Sequence, residues 1–408
     1  MIWVSNPTIL PTTTLAGNVT THSRTRRWLG SLKRVSSGPR VAEARDASEL
    51  VRTGRCSRGL TNGRWLYSAA VGWLVLGLCL TACNRPRQVS VLQAIAGQTM
   101  GTTYSVKLGP AANSADLSQV AAEIERELES VNAQMSTYLT TSELSRFNQQ
   151  STDEWFPVST ETAAVVELAL QLSEQSDGAF DVTIGPLVDL WGFGATGRHA
   201  RVPSETDIKQ GLQLVGADKL QVRLSPPALR KTLPNLHVDL SAIAKGHGVD
   251  RVAEVLERLQ FTSYFVEIGG EVRTKGKKPS GQAWQVGIEL PSTSQRSIER
   301  VLAVTDQALA TSGNYRNYFE LGGRRYSHTI DPKTGWPTED SIVSASVLAD
   351  NCALADGIAT AMMSAGFEEG LALAERQGWA VMLERSTADG GFETRQSTAF
   401  EQRAELVE

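Results

Sequence analysis

A carboxylate and a hydroxyl stand four residues apart near the end of the chain, as Asp356 and Thr360. In a helix these two side chains share one face, because residues four apart are neighbours on the helix surface. Oxygen donors of these kinds suit a hard cation such as Mg²⁺, which keeps several waters and binds substrate phosphates. The alternative is that Asp356 is an acidic residue at a helix N-terminus, where the helix dipole favours negative charge.

A second stretch combines a carboxylate, a hydroxyl and a lysine within seven residues. We expect Asp239 to end a short strand, Leu236–Leu240, and Ser241 to cap a helix that runs to Leu259. The amides of residues 241–243 would then face an anion, as helix N-termini do for phosphates, with Lys245 adding a charge. The alternative is an ordinary strand-to-helix junction with Lys245 facing solvent.

A histidine follows a predicted strand in the segment Ser327-His-Thr-Ile-Asp-Pro332. Histidine titrates near neutral pH, so His328 is well placed to move a proton as a general base. The alternative is a structural histidine that is hydrogen-bonded to the Asp-Pro turn. His247, which lies between two glycines, is expected to be structural.

Residues 176–194 bring glycines, aromatic residues and carboxylates together after a predicted helix. Gly178 and Gly185 allow the backbone to approach a ligand closely. Phe180 and Trp191 can offer ring faces to a ligand, or both rings can lie in the core. Each stretch alone is weak evidence, but together the four indicate a pyrophosphate, a divalent ion and a base.

The elements that must position these stretches are clustered strands with helices between them, which predicts an α+β fold. Residues 195–225 are polar and rich in turn residues, so we expect a surface excursion there. The other predicted helices are 115–134, Thr160–Ser176, Asn351–Ser364 and Glu368–Arg376. The other predicted strands are Thr99–Leu108, Tyr264–Ile268, Glu271–Thr274, Trp284–Leu290, Val301–Thr305, Arg325–Ile330, Ile342–Leu348, Trp379–Glu384 and Phe392–Arg395.

The composition is that of an ordinary globular protein. The 408 residues are 41% apolar and 21% charged, which excludes collagen-like, coiled-coil and wholly disordered classes. The net charge of −4 argues against a general nucleic-acid binder, so no nucleic-acid partner is expected.

The basic residues are concentrated at the front of the chain. Residues 1–64 carry 11 Lys and Arg against 3 Asp and Glu, and an uncharged apolar run, 65–82, follows them. The run ends in Leu80-Thr-Ala-Cys83, which is typical of a bacterial lipoprotein signal whose cysteine receives the lipid. The alternative is a single membrane-spanning anchor. Either interpretation places the remainder outside the cytoplasm, and Cys352 is then expected to be a buried apolar residue.

We therefore expect five segments. Residues 1–64 are a disordered or mis-annotated extension, 65–83 a lipoprotein signal segment, 84–98 a linker, 99–400 the catalytic domain and 401–408 a tail.

Eight motifs, in this order and spacing, resemble those of the FAD:protein FMN transferases, the ApbE-type flavin transferases. The resemblance covers about residues 97–385 and implies an ApbE-like domain related to the T-fold. The motifs are Thr99-Met-Gly-Thr-Thr-Tyr104, Met135-Ser-Thr-Tyr138, Ser142-Glu-Leu-Ser-Arg-Phe-Asn148, Gly178-Ala-Phe-Asp181, Asp239-Leu-Ser-Ala-Ile-Ala-Lys-Gly246, Glu267-Ile-Gly-Gly-Glu271, Thr311-Ser-Gly-Asn-Tyr-Arg316 and Ser327-His-Thr-Ile-Asp-Pro332, completed by Asp356 and Thr360.

The resemblance implies Mg²⁺-dependent transfer of FMN from FAD to a Thr or Ser hydroxyl of a protein, with release of AMP. The implied acceptors are flavoprotein subunits of membrane redox complexes, and the implied location is the periplasmic side of the cell envelope, with a lipid on Cys83. Asp356, Thr360 and the carbonyl of Ala242 would hold Mg²⁺, and His328 would be the base. The residues implied to contact FAD are Met100, Tyr138, Ala179, Phe180, Asp181, Asp239, Lys245 and Ile330.

Two other functions remain open from the sequence. One is an FAD pyrophosphatase, which uses water in place of the acceptor and releases FMN and AMP. The other is a flavin-binding lipoprotein without catalysis.

Overall fold

The structure is a computed structural model, which describes residues 92–109, 116–195, 197, 201–289, 298–314, 317–338 and 342–407. The predicted extension, the signal segment with Cys83 and the front of the predicted linker lie outside these residues. Within the described ranges, no helix has the length and apolar character needed to cross a bilayer. The helices are α1 (Leu117–Met135), α2 (Glu143–Gln149), α3 (Thr160–Gln175), α4 (Gly185–Leu190), α5 (Glu205–Leu214), α6 (Ala244–Arg258), α7 (Cys352–Ala365), α8 (Phe367–Gln377) and α9 (Thr398–Arg403).

The strands form one large sheet and three small ones. They are β1 (Gln93–Thr99), β2 (Thr102–Leu108), β3 (Phe156–Pro157), β4 (Leu220–Leu224), β5 (Pro227–Lys231), β6 (Tyr264–Ile268), β7 (Glu271–Lys275), β8 (Trp284–Glu289), β9 (Ile298–Val304), β10 (Ala308–Gly313), β11 (Tyr318–Leu321), β12 (Arg324–Ser327), β13 (Ser344–Ala349), β14 (Ala380–Ser386), β15 (Phe392–Gln396) and β16 (Glu405–Leu406). The large sheet has the order β1-β2-β6-β7-β10-β13-β14-β15, and neighbouring strands are antiparallel.

The central strands of the large sheet are buried on both faces, and their side chains alternate between two cores. In β6, Val266 and Ile268 belong to the core shared with α1, α6 and α7, whereas Phe265 belongs to the other core. This alternation follows from the two-residue period of a strand. The second core is closed by the small sheet β16-β9-β8 and by Phe400 of α9. The architecture confirms the predicted α+β class.

A third apolar cluster lies around α4, α5 and the hairpin β11-β12. It joins Leu187 and Trp191 to Ile208 of α5 and to Tyr326 of β12. The predicted surface excursion 195–225 is therefore wrong for its second part, because α5 buries one face against α4. The sequence signal for this helix is weak, because most residues of α5 are polar and only a narrow face is buried.

The two ends of the domain extend beyond the predicted limits. The first strand begins at Gln93, so residues 93–98 belong to the sheet and not to a linker. At the other end, Glu405 and Leu406 pair with β9, so the predicted tail also contributes to the fold. Both strands are edge strands with exposed side chains, and their weak apolar pattern gave little signal.

Candidate active site

A buried lysine lies between two buried carboxylates, one on α7 and one on β7. The Nζ atom of Lys245 is 3.3 Å from Oδ1 of Asp356 and 3.3 Å from Oε1 of Glu271. The exposed fractions are 5% for Lys245 and 1% for each carboxylate residue. The alternative of a solvent-facing lysine is therefore wrong, and the charges interact away from water, where they are strong.

Close packing of α6 on α7 creates this contact. A Cβ atom at Gly246 would collide with the carbonyl of Cys352, so only glycine allows the two helices to approach this closely. As a result, the amide of Gly246 donates to Oδ2 of Asp356 at 3.0 Å.

Asp250 of α6 also joins α6 to α7 through hydrogen bonds. Its carboxylate accepts hydrogen bonds from the amides of Cys352 and Ala353, at 2.9 Å each, and from Arg273 at 2.7 Å. The acid at the N-terminus of α7 is thus Asp250, and the alternative that gave this place to Asp356 is wrong. Cys352 is a buried free thiol, as expected.

The charges of the cluster perturb one another. Burial lowers the pKa of Lys245, but the two carboxylates outweigh this effect and hold the pKa above its ordinary value. Burial raises the pKa of Glu271 to about 7, against the lowering effect of Lys245. With all three groups ionised, the cluster has one uncompensated negative charge and attracts a cation.

The residues implied to hold Mg²⁺ carry oxygen donors, the type of ligand that this cation prefers. Thr360 lies one turn after Asp356 on α7, where its hydroxyl is 3.4 Å from that of Ser312. Ala242 lies in the turn before α6. Oε2 of Glu271 is buried and finds no hydrogen-bond partner among the described residues. No group of three or more His, Cys, Asp or Glu side chains comes together in the described part of the chain.

The motif that contains Met100 is the turn of the β1-β2 hairpin. Met100 and Gly101 have φ values of 48° and 69°, as a two-residue turn of type I′ requires at both positions. Met100 is buried, and a Cβ atom at Gly248 would lie only 2.8 Å from its Cε atom. The single strand predicted over Thr99–Leu108 is therefore wrong at its start, because methionine is not a turn residue.

A small cavity of about 20 Å³, about the space of one water molecule, adjoins the lysine cluster. Tyr138 follows the lining loop, and its side chain is 41% exposed. The cavity is lined by Met100, Val131, Asn132, Met135, Ser136, Thr137, Ser241, Ala244 and Lys245.

The segment before α6 differs from the prediction. Residues 236–240 are not a regular strand, and α6 begins at Ala244 without a side-chain cap. The hydroxyl and amide of Ser241 both donate to Oδ1 of Asp239, and the amide of Ile243 donates to the carbonyl of Leu240. Two of the three amides expected to face an anion are thus used within the turn. The Asp-x-Ser pairing satisfies the backbone locally in place of a helix cap.

Asp181 lies next to this segment. Its carboxylate accepts from the amide and hydroxyl of Thr183, and the amide of Asp239 donates to the carbonyl of Val182 at 2.7 Å. Burial raises the pKa of both Asp181 and Asp239, although the hydrogen bonds from Thr183 and Ser241 oppose the shift.

The rings of Phe180 and Trp191 lie in the core, which settles the choice left open above. Ala179 and Phe180 are buried, and the Phe180 ring packs near Gly357, next to Asp356. Trp191 is fully buried and donates from its ring nitrogen to the carbonyl of Gly335 at 2.8 Å. Trp191 therefore supports the turn that follows Ile330.

His328 belongs to the aromatic cluster and not to the lysine cluster. Its Nδ1 is 3.1 Å from the carbonyl oxygen of Asn317, and its ring meets Phe193 edge-on at 6.4 Å. This hydrogen bond joins His328 to Asn317 and not to the Asp-Pro turn that the alternative named. A carbonyl oxygen only accepts, so Nδ1 carries the proton and Nε2 is the accepting nitrogen of the neutral ring. Ile330 is buried in the same cluster.

Two residues of the site were not assigned a role from the sequence. Glu271 stands in a quoted motif and Asp250 follows another by four residues, but nothing in the spacing shows that they meet Lys245 and the start of α7. The raised pKa of Glu271 and its buried oxygen, unpaired within the described ranges, mark it as a site residue, but both are visible only in the folded structure.

Known proteins resemble this chain in sequence and in fold. A profile of the ApbE family matches residues 100–383. The FAD:protein FMN transferase of Vibrio cholerae is 46% identical over 323 residues, which cover 79% of this chain and 95% of the relative. That of Haemophilus influenzae is 43% identical over 340 residues, covering 82% and 97%.

Solved structures agree. The flavin transferase ApbE from Vibrio cholerae matches with a TM-score of 0.71 at 44% identity, covering 76% of this chain and 99% of that one. The apo form of the Pseudomonas stutzeri flavinyl transferase ApbE matches with a TM-score of 0.71 at 38% identity, covering 76% and 96%. The α+β fold is thus that of the solved flavin transferases. The chain belongs to the ApbE family, and the predicted family is confirmed.

Proposed function

We propose that this chain is an FAD:protein FMN transferase. It moves FMN from FAD to a Thr or Ser hydroxyl of an acceptor protein through a phosphoester bond, and it releases AMP. The observation that carries the proposal is the buried cluster of Lys245, Asp356 and Glu271, in a fold that the chain shares with solved flavin transferases.

The transfer is a single nucleophilic substitution at phosphorus. The acceptor oxygen bonds to the phosphorus on the FMN side, the anhydride bond breaks, and AMP leaves with the electron pair. The hydroxyl is a weak nucleophile, so a base takes its proton. Nε2 of His328 is the proposed base, since its tautomer leaves that nitrogen able to accept.

The chain's own residues would bind and orient FAD. Lys245 would offset the negative charge of Asp356 and Glu271 beside the pyrophosphate, and the exposed ring of Tyr138 can stack on a ring of the dinucleotide. Met100 and Ile330 supply apolar contacts. Because the Phe180 ring is in the core, we assign its contact to the backbone of residues 179–181, with the carboxylates of Asp181 and Asp239 nearby.

Mg²⁺ would be held by Asp356, Thr360 and the carbonyl of Ala242. Bound there, it would offset negative charge on the phosphate oxygens.

The acceptors proposed are flavoprotein subunits of membrane redox complexes, and the enzyme would act at the periplasmic side of the envelope with a lipid on Cys83. The support is the signal-like segment 65–83. Cys83→Ala should release the protein from membranes, and continued membrane association would favour a helical anchor.

The decisive experiment incubates the full chain with FAD, Mg²⁺ and a candidate acceptor domain. Mass spectrometry that finds an FMN adduct on a Thr or Ser of the acceptor supports transfer. Release of FMN and AMP without labelled protein would support the pyrophosphatase, and retention of FAD without AMP would support the non-catalytic lipoprotein. Gln150→Glu, a change of one charge at a half-buried position, is the control variant.

A further inference from the structure

The short helix α2 makes polar contacts in two directions from its two ends. At its N-terminus, the hydroxyls of Ser142 and Ser145 both donate to the carbonyl of Ser136, at 2.6 and 3.1 Å. The hydroxyl of Ser136 in turn accepts from the amides of Tyr138 and Leu139. The loop that presents Tyr138 is therefore attached to the start of α2.

The C-terminal end of α2 holds a different segment, 90 residues away in sequence. Nδ2 of Asn148 donates to the carbonyl of Val238, and Oδ1 accepts from the amide of Val238, both at 2.8 Å. The side-chain amide thus pairs with the backbone as a neighbouring strand would. On the other side, the amide of Asp239 donates to the carbonyl of Val182.

A buried lysine strengthens the same junction. Nζ of Lys231 donates to the carbonyl of Asn148 at 2.8 Å and to that of Leu236 at 3.1 Å. The segment before Asp239 is irregular, so these contacts replace the ladder that a regular strand would have.

We propose that Asn148 is a positioning residue for Asp239, and that α2 sets the spacing between Asp239 and the Tyr138 loop. The inference rests on the proposed function, in which both residues contact FAD. Because one rigid helix holds both, a change at Asn148 alters FAD binding without touching FAD itself. A merely structural asparagine would change the stability and leave the FAD affinity of the folded protein unchanged.

Asn148→Asp tests this in the full chain, because it preserves the shape and turns the donor toward Val238 into an acceptor. We expect the Kd for FAD to rise about tenfold and kcat at saturating FAD to fall by a smaller factor. The matched control is Gln150→Glu, which makes the same chemical change two residues away, where the amide bonds to Thr152 and Glu154. A folded Asn148→Asp protein whose Kd for FAD lies within twofold of wild type overturns the inference.

Asp239→Ala, alone and combined with Asn148→Asp, separates this inference from the proposed function. If Asn148 acts through Asp239, the double variant binds FAD no more weakly than Asp239→Ala, whereas additive losses overturn the inference. An unchanged Kd for FAD in Asp239→Ala overturns the assignment of Asp239 itself, and the inference with it. A loss in Asp239→Ala without one in Asn148→Asp overturns only the inference.

If Asn148→Asp does not fold, Asn148→Leu removes both hydrogen bonds without adding a charge. Hydrogen exchange of the peptide containing Val238 should then become faster while that of α3 stays the same. Unchanged exchange at Val238 would show that Asn148 does not hold the segment, and would overturn the inference.

Discussion

Replacing Lys245 with methionine removes the ammonium group that two buried carboxylates share. Its Nζ lies 3.3 Å from an oxygen of Asp356 and 3.3 Å from one of Glu271, so the carboxylates themselves are at most twice that far apart. Removing one partner of a buried ion pair leaves uncompensated charge and costs about 3–5 kcal/mol. We expect the free energy of unfolding of Lys245→Met to fall by about this amount at pH 7.5 without added metal.

The loss of stability in Lys245→Met should depend on pH, and the titration of Glu271 determines whether it grows or shrinks as the pH rises. Burial raises the pKa of Glu271 to about 7, above its ordinary value of 4.5, although Lys245 lowers it. The folded protein therefore binds this proton more tightly than the unfolded chain, and stability falls as the pH rises from 4.5 to about 7. Without Lys245 the pKa is higher still, so the decline continues to higher pH. Because both declines run in parallel up to about pH 6, the difference between wild type and Lys245→Met should grow between pH 6 and pH 7.5.

Urea unfolding at pH 5, 6 and 7.5 in EDTA measures this difference. Lys231→Met is the matched control, because Lys231 is also buried but its ammonium group contacts two carbonyl oxygens and the Phe147 ring, and no carboxylate of the described residues. Burial lowers the pKa of Lys231 to about 8, so it stays mostly charged up to pH 7.5 and the effect of its loss should vary little with pH. Added Mg²⁺ should stabilise Lys245→Met more than wild type. A deficit that is flat from pH 5 to 7.5 would refute the role of Lys245 in neutralising the carboxylates.

Three further changes test other parts of the site. Asp356→Asn should lower Mg²⁺-dependent turnover at least about 100-fold while the fold persists by circular dichroism, and unchanged turnover would contradict the metal role. His328→Ala should lower kcat by about 10²–10⁴ with FAD affinity within threefold of wild type, and equal losses in both would indicate a structural histidine. Burial lowers the pKa of His247 to about 4, with Arg251 adding to the effect, so stability should fall as the pH drops from 6.5 to 4. His247→Leu should flatten this decline by about 2–3 kcal/mol in pH-dependent urea unfolding, whereas His237→Leu, at a side chain that is 44% exposed, should not.

Regular helices with a strong apolar stripe could be predicted closely. The helix expected over 115–134 is Leu117–Met135, and that expected over Thr160–Ser176 is Thr160–Gln175, because their periodicity alone indicates which face is buried. The start of α6 could not be predicted. Ser241 is a good cap by type, but Asp239 binds both its hydroxyl and its amide, and α6 begins three residues later.

The chemistry of the site was determined by the sequence, since the residue types in the motifs indicate a cation, a pyrophosphate and a base, and their order indicates the family. Only the tertiary structure decided which of them meet. Lys245 and Asp356 are 111 residues apart, and their contact depends on the absence of a side chain at Gly246, which lets α6 and α7 touch. The third charged residue, Glu271, lies on β7 of the large sheet. No local pattern specifies that contact, because long-range packing brings these groups together and removes them from water.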